Sequence, residues 1–223
     1  MCGRFVQASP SRAYAELFGL ADTELDLPPR YNVAPSQAVL AARMEPTHKT
    51  RLVPLRWGLV PGWSKGPDAR YSMINARAET VHEKPAYRSA FKYRRCLIPS
   101  EGFYEWRSEG GRKQPWLIHR RDRRPFAMAG LWEHWQDPAG NELESCTIIV
   151  TQANALIAPI HDRMPVILDP TDWATWLDPA NQNPAALGTL LRSYADEQMA
   201  AYPVSTRVNR PANEGAALIE PLA

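Results

Sequence analysis

Apolar and polar positions change places in short runs along this chain, and only a few stretches repeat with the spacing of a helix. Residues 37–43, 49–53, 95–98, 103–107, 116–119, 127–135 and 146–151 are rich in β-branched and aromatic side chains. Proline, glycine or charge bounds each run, which predicts strands. Residues 165–168 predict one more. A helix is predicted over residues 10–19, where Ser9-Pro10 supplies an N-cap and a first-turn proline, Ala13, Leu17, Phe18 and Leu20 have helical spacing, and Gly19 closes the run. Later helices are predicted over residues 154–157, 171–177 and 184–194. Most strands follow one another without helical crossovers, so the predicted fold class is α+β: a mixed, mostly antiparallel sheet curling toward a barrel, with short helices packed outside.

Composition narrows the setting. A chain of 223 residues buries a full core, and no low-complexity linker or internal repeat divides it, so a single domain over residues 1–223 is expected. Cys2, Cys96 and Cys146 are odd in number, far apart and without CxxC or HxxxH companions, which argues against a disulfide framework or a zinc site. The first residues lack the apolar core of a signal peptide, and no apolar run is long enough to span a bilayer. A reducing cytoplasm is the expected location.

Charge becomes informative once it is divided along the chain. Residues 1–42 carry 3 basic and 4 acidic side chains, residues 43–124 carry 19 and 8, and residues 125–223 carry 4 and 12. A middle third this basic is the electrostatic footprint for a polyanion, most simply nucleic acid. Within it, Lys84, Tyr87, Arg88, Phe91, Lys92, Tyr93, Arg94 and Arg95 interleave cations with aromatics, and Trp57, Trp63, Trp106 and Trp116 flank them in sequence. Aromatic faces beside cations suit the unstacked bases of single strands; the alternative is a solvated basic face whose aromatics point inward. The Arg120–Arg124 run has the character of an exposed turn.

Cys2 stands directly behind the initiator methionine, and its small side chain is permissive for methionine removal. A chain beginning at Cys2 carries a free α-amine and a thiol, with ordinary pKa values of about 8 and about 8.5. Such a pair traps aldehydes, because the amine forms an imine and the neighbouring thiol closes a five-membered thiazolidine. The alternative is an early residue of a buried strand.

Three polar clusters accompany it. Asn75 and Arg77 lie two apart, so on an extended segment they share a side. Glu105 sits between Tyr104 and Trp106, surroundings that raise a carboxyl pKa and suit it to proton transfer. His161 precedes Asp162 and Arg163. Each has a structural alternative: a turn cap for Asn75, a strand partner for Glu105, a satisfied loop imidazole for His161.

Taken in order, Cys2-Gly3-Arg4-Phe5, Tyr31-Asn32-Val33-Ala34-Pro35, Arg56-Trp57-Gly58-Leu59-Val60-Pro61, Ile74-Asn75-Ala76-Arg77-Ala78-Glu79-Thr80, Pro99-Ser100-Glu101-Gly102-Phe103-Tyr104-Glu105-Trp106 and His161-Asp162-Arg163-Met164-Pro165 resemble the successive motifs of the SOS-response-associated peptidase family, the abasic-site processing proteins. The likeness runs from Cys2 to about Leu168. It implies a protein that binds single-stranded DNA at an abasic site and captures the ring-opened sugar as a thiazolidine on Cys2, shielding the lesion in the DNA damage response. By motif position it implies a centre of Cys2, Asn75, Glu105 and His161, and a lyase-class activity, with Met1 removed by the same centre or by an aminopeptidase. For the DNA, Arg4, Arg77 and Arg163 are expected on phosphates, with Trp63 a further DNA-binding residue and no cofactor, metal or membrane involved. A monomer is expected, cytoplasmic and on the nucleoid when bound to DNA. Two other functions fit part of the pattern: a cysteine N-terminal nucleophile amidohydrolase, which leaves the basic third unexplained, and a non-enzymatic single-strand-binding domain, which leaves Cys2 and Glu105 without a task.

Overall fold

The structure, a computed structural model, describes residues 2–21, 23–68 and 73–222. Its strands are β1 (Phe5–Gln7), β2 (Arg30–Val33), β3 (Ala38–Met44), β4 (Thr50–Trp57), β5 (Asn75–Arg77), β6 (Arg95–Ser100), β7 (Gly102–Glu109), β8 (Arg112–Arg120), β9 (Phe126–Gln136), β10 (Glu142–Gln152), β11 (Arg163–Pro165), β12 (Ile167–Leu168) and β13 (Met199–Pro203). Four short helices accompany them: α1 (Ser11–Leu17), α2 (Arg88–Tyr93), α3 (Trp173–Leu177) and α4 (Pro184–Gly188).

The sheet expected to curl does close. β4, β3, β6, β9 and β10 pair antiparallel in that order, and β10 returns to β4 through the parallel pairs Ser145–Arg56 and Cys146–Trp57. β10 then outruns its barrel partners, and its last residues carry β5 on one edge and β11 on the other. A second antiparallel sheet, in the order β13-β8-β7-β1-β2, packs beside this barrel.

Alternation along the strands sorts the core into two faces. Val39, Ala41, Cys96, Ile98, Met128, Cys146, Ile148 and Val150 pack with Cys2, Phe5, Phe103 and Ile118, between barrel and second sheet. Leu40, Ala42, Leu97, Ala129 and Ile149 face the other way, against Tyr14 and Ala15 of α1, Phe91 of α2 and Trp176 of α3. Packing on the first face is tight at Gly130, where a Cβ would stand 2.9 Å from Cys96 Sγ and 3.1 Å from the Thr147 carbonyl oxygen. Helices this short are unstable alone and depend on burying such anchors, each contributing about 1.5–3 kcal/mol.

The helices fall short of their predicted spans for local reasons. α1 ends in a Schellman arrangement: Gly19, at φ 68°, and Leu20 donate to the carbonyls of Glu16 and Ala15. Residues 154–157 form a hydrogen-bonded turn, because Pro159 has no N–H to extend it. In the last predicted helix, α4 stops at Gly188 and tighter turns follow. β1, β2 and β13 were not predicted; they are short and pair only with distant segments. The basic and aromatic stretch before β6 is largely α2, whose Ala90 and Phe91 are buried, and Arg95 is buried as well, donating to the carbonyls of Phe91, Lys92, Trp176, Asp178 and Asn181. Those aromatics therefore divide: Phe91 joins the core, Tyr93 stays exposed, and Trp57 outside the stretch is buried too.

Candidate active site

β1 brings the start of the chain to the candidate carboxylate. Phe5 pairs with Phe103, and Tyr104 N–H donates to the Arg4 carbonyl, so the chain before Phe5 runs back along β7 toward Glu105. Cys2 is fully buried and lies in the electrostatic reach of Glu105. Burial first, and the Glu105 charge second, push its thiol well above the usual range, so it rests protonated. Glu105 is itself 2% exposed, and desolvation raises its carboxyl from 4.5 to about 7. A carboxyl poised there gives and takes a proton at neutral pH.

Its motif neighbour has a different task. Glu101 accepts the N–H of Ala8 and the hydroxyl of Tyr14, fastening α1 to β1. Two glutamates four residues apart are thus divided between scaffold and site.

The connection from β10 to β11 delivers His161. Asn154 accepts the N–H of Ile157, and His161 N–H donates to the Ile157 carbonyl, which folds the segment into a tight turn. His161 Nε2 stands 4.0 Å from Glu105 Oε2. Two groups compete for Nδ1: the Arg163 N–H at 3.0 Å and Asp162 Oδ1 at 2.9 Å. A neutral imidazole satisfies only one of them, and burial lowers the His161 pKa, favouring the neutral ring. With Asp162 solvent-exposed, the fixed backbone N–H holds Nδ1 as acceptor and leaves the proton on Nε2, on the side of Glu105.

β5 supplies the asparagine. Asn75 and Arg77 are registered against Ile148 and Val150 of β10, so both belong to the face on which Cys2 packs. Asn75 Nδ2 donates to the Ile74 carbonyl, while its buried Oδ1 has no partner among the described residues. Trp57 Nε1 and Tyr87 Oη hold this strand by the carbonyls of Ile74 and Asn75. Asn75, Arg77, Lys84, Tyr87 and the 72%-exposed Trp63 line a concavity of about 580 Å³. Arg163 is paired with Glu79.

Arg4 is tied differently. Its Nη1 donates to Asn32 Oδ1 and the Val208 carbonyl, and Nη2 reaches the Asn209 carbonyl at 3.4 Å, leaving Nε–H without a partner among the described residues. Asn32 also donates to carbonyls of Val208, Arg210 and Asn213. This network docks the tail against the site, and Asn209 accepts the Trp106 indole N–H at 2.7 Å. An open cleft of about 440 Å³ results, lined by Glu105, Trp106, Lys113, His161 and Asn209.

Sequence reasoning missed Lys113 and Asn209: one is a cation among 19 in the basic third, the other lies beyond the last motif, and no local signal marks either. The arrangement joins a buried thiol, a carboxyl raised to about 7 and a neutral imidazole, with the unsatisfied amide oxygen of Asn75 on the face where Cys2 packs and exposed cations nearby. It is equipped for acid-base chemistry on a small electrophile carried by an anionic ligand.

Comparison with known proteins gives the family and the fold. The family model described as "SOS response associated peptidase (SRAP)" matches residues 1–211, so the likeness passes the last motif and includes the tail segment that bears Asn209. Abasic site processing protein YoqW of Bacillus subtilis is 45% identical over 223 residues, covering 99% of both chains. Abasic site processing protein YedK of Escherichia coli is 33% identical over 229 residues and 100% of both chains. A crystal structure of a Bacteroides thetaiotaomicron protein superposes with a TM-score of 0.88 at 27% identity, covering all of each chain. On the extent of the family match, the overall identity and the shared fold, this chain belongs to the SOS response associated peptidase family.

Proposed function

We propose that this protein processes abasic sites: it binds single-stranded DNA at the lesion and joins it covalently to Cys2 once Met1 has been removed. The observation that carries the reading is the coupling of the buried Cys2 thiol to a Glu105 carboxyl raised to about 7, with His161 Nε2 4.0 Å from that carboxyl. Hydrolysis of the Met1–Cys2 bond, by this centre in the reading advanced here, frees the α-amine. As the closed sugar opens to the aldehyde, His161 Nε2–H passes its proton to the ring oxygen while the Glu105 carboxylate takes the proton of the anomeric hydroxyl and returns it to Nε2, so the imidazole stays neutral. The Cys2 amine adds to the carbonyl, and Glu105 donates the proton with which water leaves, giving the imine. The thiol then adds across C=N, its proton passing through the Glu105 carboxylate to the nitrogen. One water is released overall, and the product is a thiazolidine. The unsatisfied Asn75 Oδ1 orients the Cys2 amine or a sugar hydroxyl.

Arg77 and Arg163, with the Nε–H of Arg4, contact phosphates, and Trp63 stacks on a base; none of these reads sequence. Incubation with a single strand carrying one abasic site, followed by a denaturing gel, tests the reading. A shifted, heat-stable band is expected; an amidohydrolase or a simple strand-binding domain gives none.

A further inference from the structure

The cleft over Glu105 and His161 has a wall that the chemistry above does not use. Trp106 is paired with Pro115 and Lys113 with Ser108, so the two side chains share the outer face of the β7–β8 hairpin, toward the tail. The Lys113 ammonium makes no ion pair or hydrogen bond among the described residues, although it borders the same cleft as Glu105 and His161. Asn209 meets it from the tail. The indole N–H is only a donor, so the atom it meets at 2.7 Å is the amide oxygen, and the Asn209 amide nitrogen donates to nothing among the described residues. A cation with three N–H groups and an amide whose oxygen already accepts the indole N–H thus line one wall, and together they offer mainly donors and positive charge. The complement of such a wall is an anion whose oxygens all accept.

We propose that Lys113 and Asn209 form a subsite for one of the two phosphodiester groups that adjoin the abasic nucleotide. The inference rests on the abasic-site reading above and adds a residue pair to it. The Arg77 concavity and the Lys113 cleft have no lining residue in common. A strand held by both has its lesion nucleotide fixed from two directions, with the sugar brought to Glu105 and His161. Positive charge at Lys113 also acts on that pair, lowering the pKa of each.

Single-stranded oligonucleotides carrying a tetrahydrofuran abasic analogue, which has no aldehyde, test the subsite by fluorescence anisotropy apart from the covalent chemistry. The phosphate immediately 5′ or 3′ of the lesion is replaced by an uncharged methylphosphonate. One of the two replacements is expected to weaken wild-type binding about tenfold, the scale of one charge-assisted hydrogen bond. Lys113→Gln should bind the parent strand weakly by the same factor and lose nothing further on that replacement. Asn209→Asp keeps an acceptor for the Trp106 N–H but opposes an anion; its binding should fall below that of wild type and recover with the same methylphosphonate. Losses that simply add for both replacements overturn the subsite. Parallel crosslinking to a natural abasic strand separates the failures: wild type that crosslinks while the losses add refutes only the subsite, and wild type that neither crosslinks nor prefers single strands refutes the reading beneath it.

Discussion

His161 Nε2 and Glu105 Oε2 stand 4.0 Å apart, with the imidazole 26% exposed and the carboxylate 3%. One end of the pair opens on the cleft and the other is sealed beside Cys2, so a proton delivered to a ligand at the surface and a proton managed at the thiol are handled by adjoining groups. Sealing Glu105 raises its pKa, and that carries a cost in stability.

The folded protein keeps the Glu105 proton up to about pH 7, whereas the group ordinarily releases it near 4.5. Between those values the native state holds more protons than the unfolded chain, so stability falls as pH rises through that window. The loss is complete above it and is on the order of 3 kcal/mol, at about 1.36 kcal/mol per pH unit. Glu105→Gln should therefore melt at a higher temperature than wild type at pH 8 and equally at pH 4, while its crosslinking slows by about 10²- to 10⁴-fold. Thermal melts across pH check this; an unchanged slope in the variant would contradict the raised carboxyl.

Asn75 makes the same exchange on a smaller scale. Its unpartnered, buried Oδ1 costs about 1–3 kcal/mol, while the single bond from Nδ2 returns about 1 kcal/mol. Asn75→Ala should keep a Tm at or above that of wild type and crosslink more slowly by tenfold or more. A large drop in Tm with an unchanged rate would make Asn75 a structural residue.

Glu101, by contrast, should matter for folding alone. Glu101→Ala strands the Ala8 N–H and the Tyr14 hydroxyl, and a loss of about 2–3 kcal/mol is expected in denaturant unfolding, with the crosslinking rate of the folded fraction unchanged.

Much of this architecture was legible because barrel strands concentrate β-branched and aromatic residues between breakers. β1 and β13 were not: three and five residues long, they have no pattern of their own and exist through pairing with β7 and β8. At the site, the motif order singled out Cys2, Asn75, Glu105 and His161, and the structure sets Cys2, Glu105 and His161 around one centre, with Asn75 on the face where Cys2 packs. The flanking aromatics and the motif pointed to Glu105, but that Glu101 is scaffold shows only in the folded chain, where it accepts from Ala8 and Tyr14. Nor could it reveal that Arg4 and Asn32 serve to dock the tail, because their partners are backbone carbonyls some 200 residues away for Arg4, as with its bond to Val208, |i−j| = 204.

Electrostatic contact with the strand is separable by salt. Arg77 is exposed and makes no ion pair among the described residues, so Arg77→Ala should flatten the log–log salt dependence of single-strand binding by about 0.7. Titrations at several salt concentrations measure it, and an unchanged slope would remove Arg77 from the interface.

The central claim is covalent capture by Cys2, and the mass of the adduct tests it most directly. Protein incubated with an abasic single strand, digested with nuclease and protease, should yield an N-terminal peptide that begins at Cys2 and carries the sugar remnant with one water lost. Cys2→Ala should give no heat-stable adduct while binding the strand within a few-fold of wild type, and a protein with any residue retained before Cys2 should give none. A stable adduct at the normal rate from either variant, or a remnant attached to another residue, would contradict the account.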